Sequence, residues 1–152
     1  VTNLTEADFV DWGNADNYVK AVGVGECAGV VIDLVATLLY EAKDKLTFAQ
    51  EAFEDKKWSD AIYLAYAGFV NGAKALLLAE NQKTNHHAGI IDLFDTVFVE
   101  TNKIQLATSF KELVYKIREN EPSETFAKEY IATAIAFFET IETYRALDLS
   151  KA

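Results

Sequence analysis

The sequence predicts an all-α fold, a five-helix up-and-down bundle in which two long antiparallel helices form the centre. Apolar residues recur at intervals of three and four over long stretches, which is the periodicity of amphipathic helices. One proline and seven glycines in 152 residues are too few turn-forming residues for a many-stranded fold. Apolar residues make up 51% of the chain and aromatic residues 12%, which is enough to form the core of a single domain.

Residues 1–28 are predicted to form a linker or docking arm, and residues 29–152 the bundle. The first 26 residues hold three glycines, three asparagines and no sustained apolar period, a composition typical of a segment outside a core. Phe9, Val10 and Trp12 are its bulky residues and are expected to hold it against the helices. The chain contains no methionine, so either a tag was removed or the chain is part of a longer protein, and the composition of the first segment favours the second interpretation.

The first two predicted helices are long and are separated by a polar break at residues 55–57. The first spans residues 30–54, and its apolar positions follow the helical period: Val31, Leu34, Val35, Leu38, Ala42, Leu46, Ala49 and Phe53. The second spans residues 58–80 and begins either with Ser59 as its N-cap or at Lys57 and Trp58. Small residues along the second helix allow close packing, so we expect it to be the most enclosed element.

Three further helices are predicted over residues 86–99, 105–118 and 122–147. Thr84 or Asn85 is expected to cap the first of these. Pro122 ends the preceding helix, because proline lacks an amide donor and restricts the residue before it. It is also suited to the start of the last helix, where that donor is dispensable.

The charge balance argues against nucleic acids and anionic membranes as partners. The chain carries 24 acidic and 14 basic side chains, for a net charge of −10. Proteins bind nucleic-acid backbones through basic surfaces that release counterions, and this chain has no basic surplus. The simpler interpretation of the acidity is that it keeps the protein dissolved.

Cysteine usage and hydropathy predict a cytoplasmic protein without a membrane segment. Cys27 is the single cysteine, so no intramolecular disulfide can form and a reducing compartment is favoured. The longest apolar run, residues 28–40, contains Asp33 and is too short to span a bilayer.

Residues 61–89 are the strongest candidate for ligand binding. An alanine- and aromatic-rich helix is followed by a lysine-bearing loop and by two histidines that open the next helix. Amides at a helix N-terminus bind phosphate, so a phosphate site there is one interpretation. The alternative is that the loop residues only cap the helix and that the tyrosines and histidines fill core and surface. The candidate residues from this segment are Tyr66, Lys83, Thr84, Asn85, His86 and His87.

No metal site and no catalytic residue are predicted. His86 and His87 are adjacent, so they point roughly 100° apart on a helix and cannot easily chelate one ion. Asp92 lies too far along the helix for ligand spacing with either histidine. Neither histidine is tied by spacing to a serine, a cysteine or paired carboxylates, although one of them acting as an acid or base remains an alternative.

The same segment resembles the HEPN family (higher eukaryotes and prokaryotes nucleotide-binding domain). The resemblance covers residues 30–147 and is strongest over residues 61–100. It is carried by Ala61, Ala65, Tyr66, Phe69, residues 73–78, Lys83, Thr84, Asn85 and His87. It implies an all-helical bundle of about this size and, from members that bind nucleotides, a site that adds Lys74 to the candidates above.

Ribonuclease activity is not implied. Some HEPN members use an arginine followed about four to six residues later by a histidine. The two arginines of this chain, Arg118 and Arg145, are not followed by any histidine, so the catalytic pattern is absent.

A narrower resemblance lies upstream. Residues 25–41 resemble the junction that precedes a HEPN-like C-terminal extension in some bacterial sulfite/nitrite reductase-like proteins. That resemblance implies sirohaem and a 4Fe–4S cluster in the parent protein only, because the cluster cysteines are not in this chain.

The leading hypothesis is therefore a non-catalytic HEPN-like accessory domain of such a reductase, used in assembly, docking or small-ligand sensing. Its expected partner is the rest of the parent polypeptide or a homodimer mate. One alternative is a stand-alone nucleotide-binding partner of a nucleotidyltransferase or a toxin–antitoxin system. Another is an unrecognised hydrolase that uses His86 or His87.

Overall fold

The structure is a computed structural model that describes residues 24–82 and 86–150, with side chains from residue 29 onward. Within those residues it contains five α-helices and no strand, which confirms the all-α bundle. Most of the predicted arm, including Phe9, Val10 and Trp12, lies outside the described residues. Lys83, Thr84 and Asn85 also lie outside them.

Two long helices form an antiparallel pair, as predicted. Helix α1 spans Val24–Glu54 and helix α2 spans Trp58–Ala79. The prediction that α1 starts at residue 30 is wrong by six residues. Gly25, one of the three glycines of the predicted arm, and Gly29 both lie inside the helix. A glycine costs a helix only about 1 kcal/mol relative to alanine, and extending a helix already formed is cooperative.

Helix α2 is the enclosed centre of the bundle. A β-carbon built on Gly68 would lie 2.7 Å from Leu46 Cδ2, so the two long helices approach closely at this glycine. By length and composition α2 could cross a membrane, although no membrane segment was predicted from the sequence. However, 61% of the relevant window is buried inside the bundle, as expected of a core helix.

The shorter elements depart from their predicted bounds. Helix α3 spans His87–Phe94 and continues as a π-helical turn over Asp95–Val99. Helix α4 spans only Phe110–Val114 and continues as a 3₁₀ turn over Tyr115–Arg118. The predicted start at residue 105 is wrong because Ser109 and Glu112 form a capping box that begins α4 at Phe110.

Helix α5 spans Glu124–Ser150, so the predicted start at Pro122 is wrong. Its first turn is capped by Ser123, whose Oγ accepts a 3.1 Å hydrogen bond from the amide of Phe126. Helix α2 has Lys57 at its N-cap position, so the start at Lys57 and Trp58 is confirmed and the Ser59 cap is wrong. Helix α3 has His86 at its N-cap position rather than Thr84 or Asn85.

Four phenylalanines from α2, α3, α4 and α5 form the middle of the core. Phe110 lies 4.6 Å from Phe94 and 4.7 Å from Phe137 between ring centroids, and 6.0 Å from Phe69. All four rings are at most 3% exposed. The short helix α4 is therefore attached to the core by its first residue.

Candidate ligand-binding site

The structure brings together two of the predicted site residues, Tyr66 on α2 and His87 at the start of α3. Tyr66 Oη lies 3.2 Å from His87 Nδ1, and the two ring centroids are 5.7 Å apart. When Nδ1 is unprotonated the tyrosine hydroxyl donates to it, and Nε2 then carries the ring proton. In that tautomer His87 presents an N–H donor on its Nε2 side.

Of the other described candidates, Lys74 lies apart from this pair and His86 directly precedes His87 in the chain. Lys74 is a half-buried residue two turns further along α2, and no contact among the described residues joins it to Tyr66 or His87. His86 is exposed at the N-cap position of α3. Among the seven residues predicted for the site, the described structure shows a contact between Tyr66 and His87.

Two residues that were not predicted from the sequence to belong to the site lie within electrostatic range of Tyr66. Tyr115 and Arg118 occupy the 3₁₀ turn after α4, and the Arg118 guanidinium carbon lies 3.9 Å from the centroid of the Tyr115 ring. The spacing of three residues between them was a usable signal for that contact. Nothing in the sequence linked this pair to α2.

The pKa of Tyr66 depends on burial and on the side chains around it. Burial raises the pKa of the Tyr66 hydroxyl above its ordinary value near 10, and the hydroxyls of Tyr115 and Tyr63 raise it further. The positive charge of Arg118 acts in the opposite direction. Tyr66 is therefore within electrostatic range of Tyr63, Tyr115 and Arg118.

Tyr63 extends the aromatic surface outward. It is 62% exposed and stacks on Tyr66, with ring centroids 6.2 Å apart and an interplanar angle of 29°. We name Tyr63, Tyr66, His87, Tyr115 and Arg118 the tyrosine–arginine cluster.

The cluster combines aromatic faces with one permanent positive charge and one imidazole. Exposed tyrosine rings stack on aromatic ligands such as nucleobases, and a guanidinium forms charge-assisted hydrogen bonds to phosphate. In residues 24–82 and 86–150, no three His, Cys, Asp or Glu side chains come together as a metal site. The chemistry of the cluster therefore suits a phosphorylated aromatic molecule.

A groove lies elsewhere on the bundle. It has a volume of about 670 Å³ and is lined by the 102–105 loop and by α5, including Lys103, Tyr144 and Leu147. None of its lining residues belongs to the tyrosine–arginine cluster.

Comparisons with known proteins agree with the fold. The model of the HEPN domain family matches residues 35–144. The chain is 31% identical over 115 residues to a protein of Methanocaldococcus jannaschii named "Putative toxin MJ0605", covering 71% of this chain and 86% of that protein. No solved structure matches the chain. Because the family model spans most of the helical bundle, this chain belongs to the HEPN domain family.

Proposed function

We propose that this HEPN domain is the nucleotide-binding member of a toxin–antitoxin pair and that it binds a nucleotide at the tyrosine–arginine cluster. The observation that carries the proposal is the contact between Tyr66 Oη and His87 Nδ1, with the stacked Tyr115 and Arg118 within electrostatic range of Tyr66. The proposed site combines aromatic, imidazole and guanidinium groups from three separate elements.

The archaeal relative supports the toxin–antitoxin context. Its name describes a toxin, and the similarity extends over 86% of its length. That similarity is to most of a small protein and not to a segment of a reductase. The accessory role in a sulfite/nitrite reductase, with its sirohaem and 4Fe–4S cluster, stays a prediction that this similarity does not support.

The charges of the cluster favour a small nucleotide over a nucleic-acid strand. Stacking of one base on an aromatic ring contributes about 1–3 kcal/mol, and Tyr63 and Tyr66 offer such a face. Arg118 and His87 each offer an N–H donor to a phosphate oxygen. The further phosphates of a nucleic-acid strand would lie against a protein whose net charge is −10 and would be repelled by it.

We further propose that the domain binds without catalysis. Hydrolysis of a phosphoester needs a base and an acid, or a metal ion, placed at the reacting atoms. His87 is the one imidazole of the cluster, and its Nδ1 is engaged by Tyr66. The alternative is a hydrolase that uses His87 with Tyr66 as its partner, and the same contact favours it. The assay below distinguishes hydrolysis from binding without catalysis.

Ligand-dependent melting tests the proposal. A ligand at one hundred times its Kd stabilises the folded state by about 2.7 kcal/mol, so AMP or ATP at millimolar concentration should raise the melting temperature. Arg118→Gln and His87→Gln should each remove most of this increase. Lys128→Gln, an exposed cation on α5 outside the cluster, is the matched control and should keep it.

Two outcomes would change the conclusion. An unchanged melting temperature across millimolar AMP and ATP would contradict nucleotide binding. Release of phosphate or cleavage of a short RNA by the wild-type chain, lost in His87→Gln, would replace binding by hydrolysis. The homodimer mate and the cytoplasmic location stay predictions.

A further inference from the structure

Asp95 is a buried carboxylate that holds the start of helix α4. It lies in the π-helical turn after α3, and its side chain is 9% exposed. One carboxylate oxygen accepts a 2.7 Å hydrogen bond from the amide of Phe110, and the other accepts a 3.0 Å bond from the amide of Lys111. Charge-assisted bonds of this kind are about twice as strong as neutral ones.

Helix α4 depends on such contacts because it has only five residues. Isolated helices shorter than about 12–15 residues are marginal in water. The first amides of any helix also lack partners within it. Asp95 supplies partners for the first two amides, and the Ser109 side chain accepts from the amide of Glu112 at 3.1 Å.

The far end of α4 is held from α5. Tyr130 donates a 2.7 Å hydrogen bond to the carbonyl oxygen of Val114, the last residue of α4. Tyr115 and Arg118 follow at once in the 3₁₀ turn. Buried side chains therefore fix both ends of α4, and α4 in turn sets the position of the Arg118 guanidinium.

We propose that Asp95 is a positioning residue for the tyrosine–arginine cluster. By fixing the start of α4, it holds the 3₁₀ turn in which Arg118 lies over Tyr115. The expected effect on nucleotide affinity rests on the proposed function. The effect on the placement of Arg118 does not, because it is a property of the chain without ligand.

The test compares Asp95→Asn and Asp95→Glu with Ser123→Ala. Asparagine has one oxygen that can accept one of the two amides, and glutamate keeps the charge but displaces its oxygens by a methylene group. Ser123→Ala removes the cap of α5 away from the cluster and controls for a general loss of stability. Both readouts are measured on each Asp95 variant that keeps the wild-type circular dichroism spectrum.

The first readout is the NMR shift of the Arg118 δ protons, which the Tyr115 ring moves upfield when the guanidinium is stacked on it. We expect this upfield shift to shrink in both Asp95 variants and to stay unchanged in Ser123→Ala. The second readout is the Kd of AMP, which should rise about tenfold or more in the Asp95 variants, as expected when a phosphate-binding cation is displaced. The double variant Asp95→Asn with Arg118→Gln should bind no more weakly than Arg118→Gln alone, because both changes act on one contact.

Arg118 resonances that keep their wild-type positions in the Asp95 variants would overturn the proposal. An equal change in Ser123→Ala would overturn it too, since the effect would then follow stability. If the wild-type chain binds no AMP while the resonances move as expected, the proposed function fails and the positioning role stands.

Discussion

The hydroxyl of Tyr130 donates a 2.7 Å hydrogen bond to the carbonyl oxygen of Val114, and this bond joins α5 to the end of α4. Tyr130 is 2% exposed, and its ring lies 5.3 Å from Phe69 and 5.2 Å from Phe126 between centroids. Burial raises the pKa of the Tyr130 hydroxyl well above its ordinary value, and the nearby Tyr66 hydroxyl raises it further. A phenolate at this position is therefore strongly disfavoured in the folded protein.

The free energy of unfolding should fall at alkaline pH. Because the pKa of Tyr130 is higher in the folded than in the unfolded state, its contribution is complete below the unfolded pKa, near 10, and is lost as pH rises towards the folded pKa. The pKa values of Tyr66 and Tyr144 are raised by burial as well, so they act in the same direction. Each such group contributes a slope of at most about 1.4 kcal/mol per pH unit, which urea unfolding between about pH 8 and pH 11.5 measures.

Tyr130→Phe should make that slope shallower. At neutral pH the same change should lower the unfolding free energy by about 1–2 kcal/mol, because a buried hydrogen bond to a carbonyl is lost. Tyr40→Phe, at a residue that is 66% exposed, is the control and should keep the wild-type slope. An identical slope in wild type and Tyr130→Phe would show that Tyr130 does not govern the alkaline loss.

Gly68 and Gly72, one turn apart on α2, should respond oppositely to alanine. A β-carbon at Gly68 would lie 2.7 Å from Cδ2 and 3.0 Å from Cγ of Leu46, a residue only 5% exposed, so Gly68→Ala should cost about 1–3 kcal/mol through overpacking. At Gly72 the nearest atom, in Phe137, would be 3.6 Å away. Gly72→Ala should therefore stabilise by about 0.5–1 kcal/mol through helix propensity. Thermal unfolding of both variants is the measurement, and a stabilising Gly68→Ala would contradict the close approach of α1 and α2.

Ser123→Ala should lower the unfolding free energy by about 1 kcal/mol because α5 loses its N-cap. Ser59→Ala is the matched control, since Ser59 lies in the first turn of α2 and Lys57 occupies the N-cap position there. Its effect should stay within about 0.5 kcal/mol. Equal losses at the two serines in urea unfolding would refute the assignment of the caps.

The long helices could be predicted from sequence because their apolar residues repeat with the helical period over many turns. The short elements could not, because tertiary contacts fix their ends. The π-helical turn at Asp95 accompanies hydrogen bonds that its carboxylate accepts from amides 15 and 16 residues away. The start of α4 is the exception: Ser109 and Glu112 form the Ser-x-x-Glu pattern of a capping box, a local sequence signal that the predicted start at residue 105 did not use.

Part of the candidate site could be predicted because two of its residues lie in one continuous segment of the sequence. Tyr66 and His87 both lie in the segment that the sequence singled out, and their contact links residues 21 positions apart. From the sequence, Arg118 was considered only as a candidate for the arginine of the ribonuclease pattern, and no histidine follows it in the chain. The position of Arg118 relative to Tyr66 depends on how α4 packs on the core, and no residue spacing in the sequence predicts that packing. Lys83, Thr84 and Asn85 lie outside the described residues and stay predictions.

Phe110→Ala should be among the most damaging single changes. The Phe110 ring is fully buried, lies within 5 Å of Phe94 and Phe137 between centroids, and attaches α4 to the core. Its removal should cost about 3–5 kcal/mol through lost burial and the cavity left behind, a large part of a typical domain stability of about 5–15 kcal/mol. Phe48→Ala, at a ring that is 48% exposed, should cost much less. Urea unfolding separates the two, and similar losses would mean that Phe110 does not connect α4 to the core. The loss should also disturb the tyrosine–arginine cluster, because Tyr115 and Arg118 continue the chain directly from α4.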